Sequence, residues 1–182
     1  MIQIFTTQIQ GLMKQIKDKQ EEAIEDGARL LAQARVGSSS IYVHGIKEMG
    51  VIEHEALFGV DHLSHIKPLL CDDEKIVSLD VNDRVLLASR YTNEPEALKI
   101  AKKLKEEGIP FVTISTLEEK DATSEGLDTL ADVFIHLNVK KPVVPLDDGT
   151  RTGYPASLIA LYTYFCLALT LKEILSEVEE EI

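Results

Sequence analysis

The stretch RVLLASRYTNEPEALKIAKKLKEEGIPFVTIS, residues 84–115, decides the fold. Arg84–Ser89 is an unbroken apolar run, the pattern of a strand buried on both faces. Pro95–Glu107 then places Ala97, Leu98, Ala101 and Leu104 at helical spacing on one face. Pro95 suits a first helical turn, which needs no amide hydrogen there, and Gly108 is a natural stop. Pro110–Ser115 is the next strand. Two strands joined by a helix run parallel with a right-handed crossover.

Outward from this unit the alternation continues. Ile41–His44 predicts a strand ended by Gly45, after a turn at Gly37–Ser40, and Val51–Phe58 a helix. A weaker strand is expected at Leu69–Cys71 or Lys75–Ser78. Leu127–Ala131 is helical or irregular, and Val133–Leu137 is a further strand. The first 35 residues predict a long amphipathic helix through Phe5, Ile9, Leu12, Met13 and Ile16, resuming at Ala23, Ile24, Ala28 and Leu31. A second long helix runs from Ala156 to Glu179 after a Pro/Gly-rich connection, 141–155. The expected fold is α/β, an open parallel five-stranded sheet with helices on both faces and a flavodoxin-like strand order. The expected organisation is one domain over 1–182, with the terminal helix at 1–35, a sheet core at 40–138 and the closing helix at 156–179.

The chain has 182 residues, with 45% hydrophobic and 27% charged, an ordinary globular composition. Its net charge of −12 repels nucleic acid and anionic lipid, so neither is expected as a partner. A phosphorylated metabolite is repelled at long range too, so an anion site must act through short-range hydrogen bonds. Cys71 and Cys166 form no CxxC pair and predict neither a disulfide nor a metal framework. The N-terminus lacks signal-peptide features. Residues 156–171 fall short of the roughly 20 needed to cross a bilayer and read as a buried core or interface helix. A cytoplasmic protein is expected.

In open parallel sheets ligands bind beyond the carboxyl ends of the strands, where the strand order reverses. That selects two loops, 45–50 and 89–94. Ser89, Thr92 and Asn93 are small polar residues ahead of a helix start, whose free N–H groups and partial positive charge suit a phosphate. Arg90 adds a charge-assisted contact. The same residue types also serve as ordinary N-caps, and Glu94 and Glu96 oppose an anion there.

The pattern Ser89-x-x-Thr92-x-Glu94 between strand and helix resembles the S-x-S-G-x-T-x-E loop of sugar isomerase (SIS) domains. Val112–Ser115 is similar to that family's following strand, Leu130-Ala131-Asp132-Val133 to its LAD segment, and IYVHG at 41–45 to its opening strand. Ile52–Leu57 is similar to the helix after that strand, and Gly153–Leu169 to the closing helix. The chain most resembles a small, uncharacterised bacterial SIS-like family labelled phosphoheptose isomerase. The resemblance implies a phosphosugar ligand, no cofactor, and a homodimer held partly by the terminal helices. It departs from the family at Leu87 and Arg90, which replace a serine and a glycine. The first loop, Gly45-Ile46-Lys47-Glu48-Met49, lacks a second glycine and a serine. Lys47 is its candidate point charge.

Isomerisation of an aldose to a ketose needs a base near the substrate. Glu53, His54 and Glu55 are consecutive on a helix, about 100° apart, so at most two face one pocket. Glu55 resembles the glutamate of phosphoheptose isomerases, and His54 is its candidate assistant. His62 and His65 form a lone H-x-x-H, a weak metal pattern. The closing helix lacks the Gln and His that phosphoheptose isomerases place on it. His44 and His136 read as packed, hydrogen-bonded histidines. Three functions compete: a non-catalytic or regulatory phosphosugar-binding module, a phosphosugar isomerase using Glu55, and an oligomeric scaffold with a vestigial site.

Overall fold

The computed structural model describes residues 1–36, 39–71, 75–118 and 125–180. Five parallel strands form the main sheet: β1 (Ile41–Gly45), β2 (Ile66–Pro68), β3 (Arg84–Tyr91), β4 (Phe111–Thr116) and β5 (Val133–His136). Their order is β2-β1-β3-β4-β5, the expected flavodoxin-like order. The chain runs outward from β1 to β2 on one side and to β3 on the other, so the strand order reverses between β1 and β3.

Both faces are covered. Helices α1 (Ile2–Val36), α2 (Gly50–Phe58) and α5 (Ala156–Glu180) pack on one face, where Val43, Leu86, Ala88, Val112, Ile114 and Ile135 point. Helices α3 (Pro95–Glu106) and α4 (Leu127–Leu130) cover the other, over Val85, Leu87 and Phe111. Neighbouring residues of β3 thus enter opposite cores, as the alternation of side chains along a strand requires. Each fully buried aliphatic side chain contributes about 1.5–3 kcal/mol, so the run RVLLAS is committed on both sides.

The second strand differs from expectation. Leu69–Cys71 and Lys75–Ser78 are not sheet strands; they meet at an isolated antiparallel bridge, Leu70 to Ile76. The strand is Ile66–Pro68 instead, an edge strand three residues long, where a proline is tolerated. Strand β3 also runs two residues beyond Ser89, with a register shift against β4 between Ala88 and Tyr91. Gly37 and Ser38 of the expected turn lie outside the described residues. The 141–155 connection contains a small hairpin, β6 (Val144–Pro145) and β7 (Arg151–Thr152).

Helix α5 is long and apolar enough to cross a membrane by length and composition. One face of it, including Ile159, Ala160, Leu167 and Leu171, is buried in the core with α1. The opposite face exposes Leu158, Phe165 and Leu169.

Candidate functional site

The carboxyl ends of β1 and β3 lie side by side, with Gly45 opposite Ala88. After Gly45 the chain turns through a single 3-10 turn, Lys47–Met49, directly into α2. Lys47 has φ of 53°, a left-handed conformation uncommon for a side-chain-bearing residue. Gly45 is required here for space. A Cβ on it would stand 2.1 Å from the Met49 carbonyl oxygen and 2.6 Å from the Gly50 nitrogen.

The expected phosphate loop is tightly bonded within the chain. Ser89 is fully buried. Its hydroxyl donates to the Tyr91 carbonyl at 2.8 Å and lies 3.0 Å from Ser115 Oγ, which must then donate to it. Asn93 Nδ2 donates to Glu118 at 2.6 Å. Arg90 pairs through Nε with Glu48 of the first loop, and its guanidinium lies 5.8 Å from the centre of the Tyr154 ring. Its hydrogen bond holds the Glu48 carboxyl below the ordinary carboxylate range, against a smaller opposing effect of burial.

Glu94 takes the position where an anion was expected. It is 8% exposed. Its Oε1 accepts from the backbone N–H groups of Arg90 at 3.0 Å and Tyr91 at 3.3 Å. Its Oε2 accepts from Lys47 Nζ at 2.9 Å. The chain's own carboxylate therefore occupies two loop amides and the first-loop lysine. Glu94 is the N-cap residue of α3 by backbone geometry, but its side chain turns back to the loop rather than capping the helix.

Thr92 is different. It is fully buried, and its hydroxyl has no hydrogen-bond partner, a condition shared among the described residues only by Thr113. A buried hydroxyl without a partner costs about 1–3 kcal/mol. Its backbone is fully used: the N–H donates to Thr116 and the carbonyl accepts from Leu127.

A second wall is built by two tyrosines that the sequence did not single out. Tyr154 donates to the Val139 carbonyl at 2.7 Å, so Tyr91, 2.8 Å away, donates to Tyr154. Burial, reinforced by that bond from Tyr91, pushes the Tyr154 hydroxyl pKa well up.

The catalytic candidates separate. Glu55 lies toward the end of α2, close enough to Gly59 that an added Cβ there would be 2.3 Å from Glu55 Oε1. His54 is exposed and rests on the Phe58 ring, centroids 5.0 Å apart. Glu53 instead turns back to the end of β1, where its Oε2 is 2.8 Å from His44 Nδ1 and 3.3 Å from the Gly45 amide. The signal for that pairing was a histidine one residue before the loop glycine and a glutamate eight after it, which no periodicity exposes. His62 Nδ1 lies 2.9 Å from its own chain's Gly59 carbonyl, and His65 sits at φ of 70°. Among the described residues no group of three or more His, Cys, Asp and Glu side chains gathers.

Residues 1–175 match the model of a domain of unknown function, DUF2529. The chain is 40% identical over 177 residues to the uncharacterized protein YwjG of Bacillus subtilis, covering 97% of this chain and 99% of that one. A phosphoheptose isomerase from Francisella tularensis superposes with a TM-score of 0.67 at 12% identity, covering 93% of this chain and 94% of that one. The c3406 protein of E. coli CFT073, solved in complex with arabinose 5-phosphate, gives a TM-score of 0.67 at 16% identity, covering 95% and 88%. At these identities the likeness is one of fold, and that fold is the sugar isomerase fold.

Proposed function

Because the chain belongs to the DUF2529 family and carries the sugar isomerase fold, we propose that it is a cytoplasmic sugar-phosphate-binding protein whose site is the β1–β3 crevice. The observation that carries this reading is Thr92. Its hydroxyl is the one polar side chain of the 89–94 loop left without a partner, two residues after Arg90 and three before Pro95, where α3 begins. A phosphate oxygen there would satisfy the hydroxyl and draw on the helix dipole. The complex of arabinose 5-phosphate with a protein of the same fold supports the ligand class. Two extensions differ in chemistry. In the regulatory one, binding alone is the function. In the isomerase one, Glu55 is the base, and its position against Gly59 weighs against that assignment.

Thermal shift with arabinose 5-phosphate, fructose 6-phosphate and sedoheptulose 7-phosphate tests binding. At 100 times Kd, a true ligand stabilises the protein by about 2.7 kcal/mol. Thr92→Val removes an unsatisfied hydroxyl at nearly constant volume. The variant is expected to melt at or above the wild-type temperature while losing most of the ligand-induced shift. A full ligand shift in the variant, or none from any sugar in the wild type, would sink the reading.

We propose a homodimer as the assembly. Leu158, Tyr162, Phe165 and Leu169 recur at steps of four, three and four along α5, and Leu158, Phe165 and Leu169 are 40%, 42% and 60% exposed. Residues 156–171 carry no charge, so this stripe escapes the repulsion that a net charge of −12 imposes between copies elsewhere. Light scattering is expected to report a dimer for the wild type and a folded monomer for Phe165→Glu with Leu169→Glu. A monomeric wild type at micromolar concentration would refute it.

A further inference from the structure

His44 and Glu53 form a pair that the phosphate-binding reading does not use. A carboxylate only accepts hydrogen bonds, so at 2.8 Å the Nδ1 of His44 donates to Glu53 Oε2. The neutral ring therefore carries its proton on Nδ1, and the lone pair of Nε2 is free. No described residue bonds to Nε2. The side chains are 14% and 23% exposed, largely shielded from bulk water with part of each surface still accessible. Burial by itself would raise the Glu53 pKa. The hydrogen bond from His44, with the Gly45 amide, outweighs that and holds it below its ordinary 4.5. Glu53 is thus ionised at neutral pH. The Gly45 amide fixes the same oxygen that orients the ring.

The placement matters as much as the pairing. His44 is opposite Leu87, at the boundary where the strand order reverses. The next residues of β1 lead to Lys47, and Arg90 lies three residues past Leu87 on β3. At a rise of about 3.3 Å per residue, that puts the backbones of His44 and Arg90 about 10 Å apart along the strands. This separation is on the scale of an extended sugar phosphate.

We propose that His44 Nε2 is the proton-transfer group of this site, with Glu53 as its positioning residue, acting on the carbon next to the carbonyl of a ring-opened aldose or ketose phosphate. The proposal rests on the sugar-phosphate reading above. Starting from the aldose, Nε2 takes the C2 proton, and the C–H electron pair passes into the C1–C2 double bond of an enediolate. Glu53 stabilises the imidazolium that forms. Return of that proton to C1, with the O2 hydroxyl proton passing to O1, gives the ketose. No net oxidation occurs and no co-reactant is consumed.

The test combines three measurements on the full chain. Nitrogen-15 spectra read the tautomer: Nδ1–H is expected in the wild type, mostly Nε2–H in Glu53→Ala, and Nδ1–H again in Glu53→Gln, which keeps the acceptor. Diethyl pyrocarbonate modifies free Nε2 atoms, and modification of His44 should be suppressed by the stabilising sugar phosphate while that of exposed His54 is not. Solvent-deuterium exchange into arabinose 5-phosphate, fructose 6-phosphate and sedoheptulose 7-phosphate should fall by roughly 10²–10⁴ in His44→Asn, with the ligand thermal shift retained. If His44→Asn does not fold, the tautomer and protection results on the wild type decide. Ligand stabilisation without wild-type exchange, exchange that survives His44→Asn, or an unprotected His44 overturns the dyad and leaves binding standing. If no sugar phosphate stabilises the protein, both readings fall together.

Discussion

Gly45→Ala is expected to destabilise the protein by about 3 kcal/mol, lowering the melting temperature by roughly 6–12 °C for a chain of this size. The added methyl would sit 2.1 Å from the Met49 carbonyl oxygen and 2.3 Å from its carbon. These are backbone atoms of a turn that enters α2 immediately, so no side-chain rotation relieves the overlap. The turn must move, and with it Lys47 and Glu48, whose partners are Glu94 and Arg90. Gly11→Ala is the control. Gly11 is exposed in α1, and a Cβ there meets nothing within 4 Å. That substitution should stabilise the helix by up to about 1 kcal/mol. Differential scanning calorimetry of both variants checks the argument, and a Gly45→Ala protein melting within about 2 °C of wild type would show that the turn is far softer than its contacts imply.

Glu94→Ala should cost about 2–4 kcal/mol, because it strands the amides of Arg90 and Tyr91 in a nearly closed site. The ranking across substitutions separates this mechanism from simple charge loss. Glu94→Gln keeps a carbonyl oxygen for the two amides and should lose less. Lys47→Ala removes only the ammonium, whose side chain is 61% exposed, and should change stability by at most about 1 kcal/mol. Denaturant midpoints for the three variants are the measurement. Equal losses for Glu94→Ala and Lys47→Ala would mean that the ion pair, rather than the amide bonds, is what the carboxylate supplies. The resemblance to SIS loops pointed to Glu94 as a motif position. The structure adds why a glutamate stands there: its length lets one carboxylate reach two loop amides and a lysine 47 residues away.

How far the site could be read beforehand follows the range of the interactions. The loop's location was legible, because a buried strand, a polar break and Pro95 are local signals. The state of its side chains was not. Ser89 reads as a loop hydroxyl, yet β3 continues two residues beyond it, and its hydroxyl is shared between Tyr91 and Ser115, 26 residues apart in sequence from Ser89 in the latter case. Arg90 reads as a free cation, but Glu48, 42 residues earlier, neutralises it. Glu53, His54 and Glu55 point about 100° apart on α2, and only the packing of α2 over the end of β1 sends Glu53 to His44 and Glu55 toward Gly59. The short edge strand Ile66–Pro68 was missed because three residues of mixed polarity carry no alternation.

The amino-acid sequence by itself determined the α/β class, the parallel sheet, the two long terminal helices and the position of the loop after β3. Periodicity, helix stops and buried apolar runs are local, and a chain that carries them consistently has few ways to bury its apolar surface. Only the tertiary structure decided which polar groups in the crevice are spent and which are free: Glu94 on the loop amides, Thr92 without a partner, and His44 oriented by Glu53. Those outcomes depend on ångström-scale distances between residues that local patterns do not link, such as Lys47 and Glu94, 47 positions apart. How the helices seat on the sheet sets those distances.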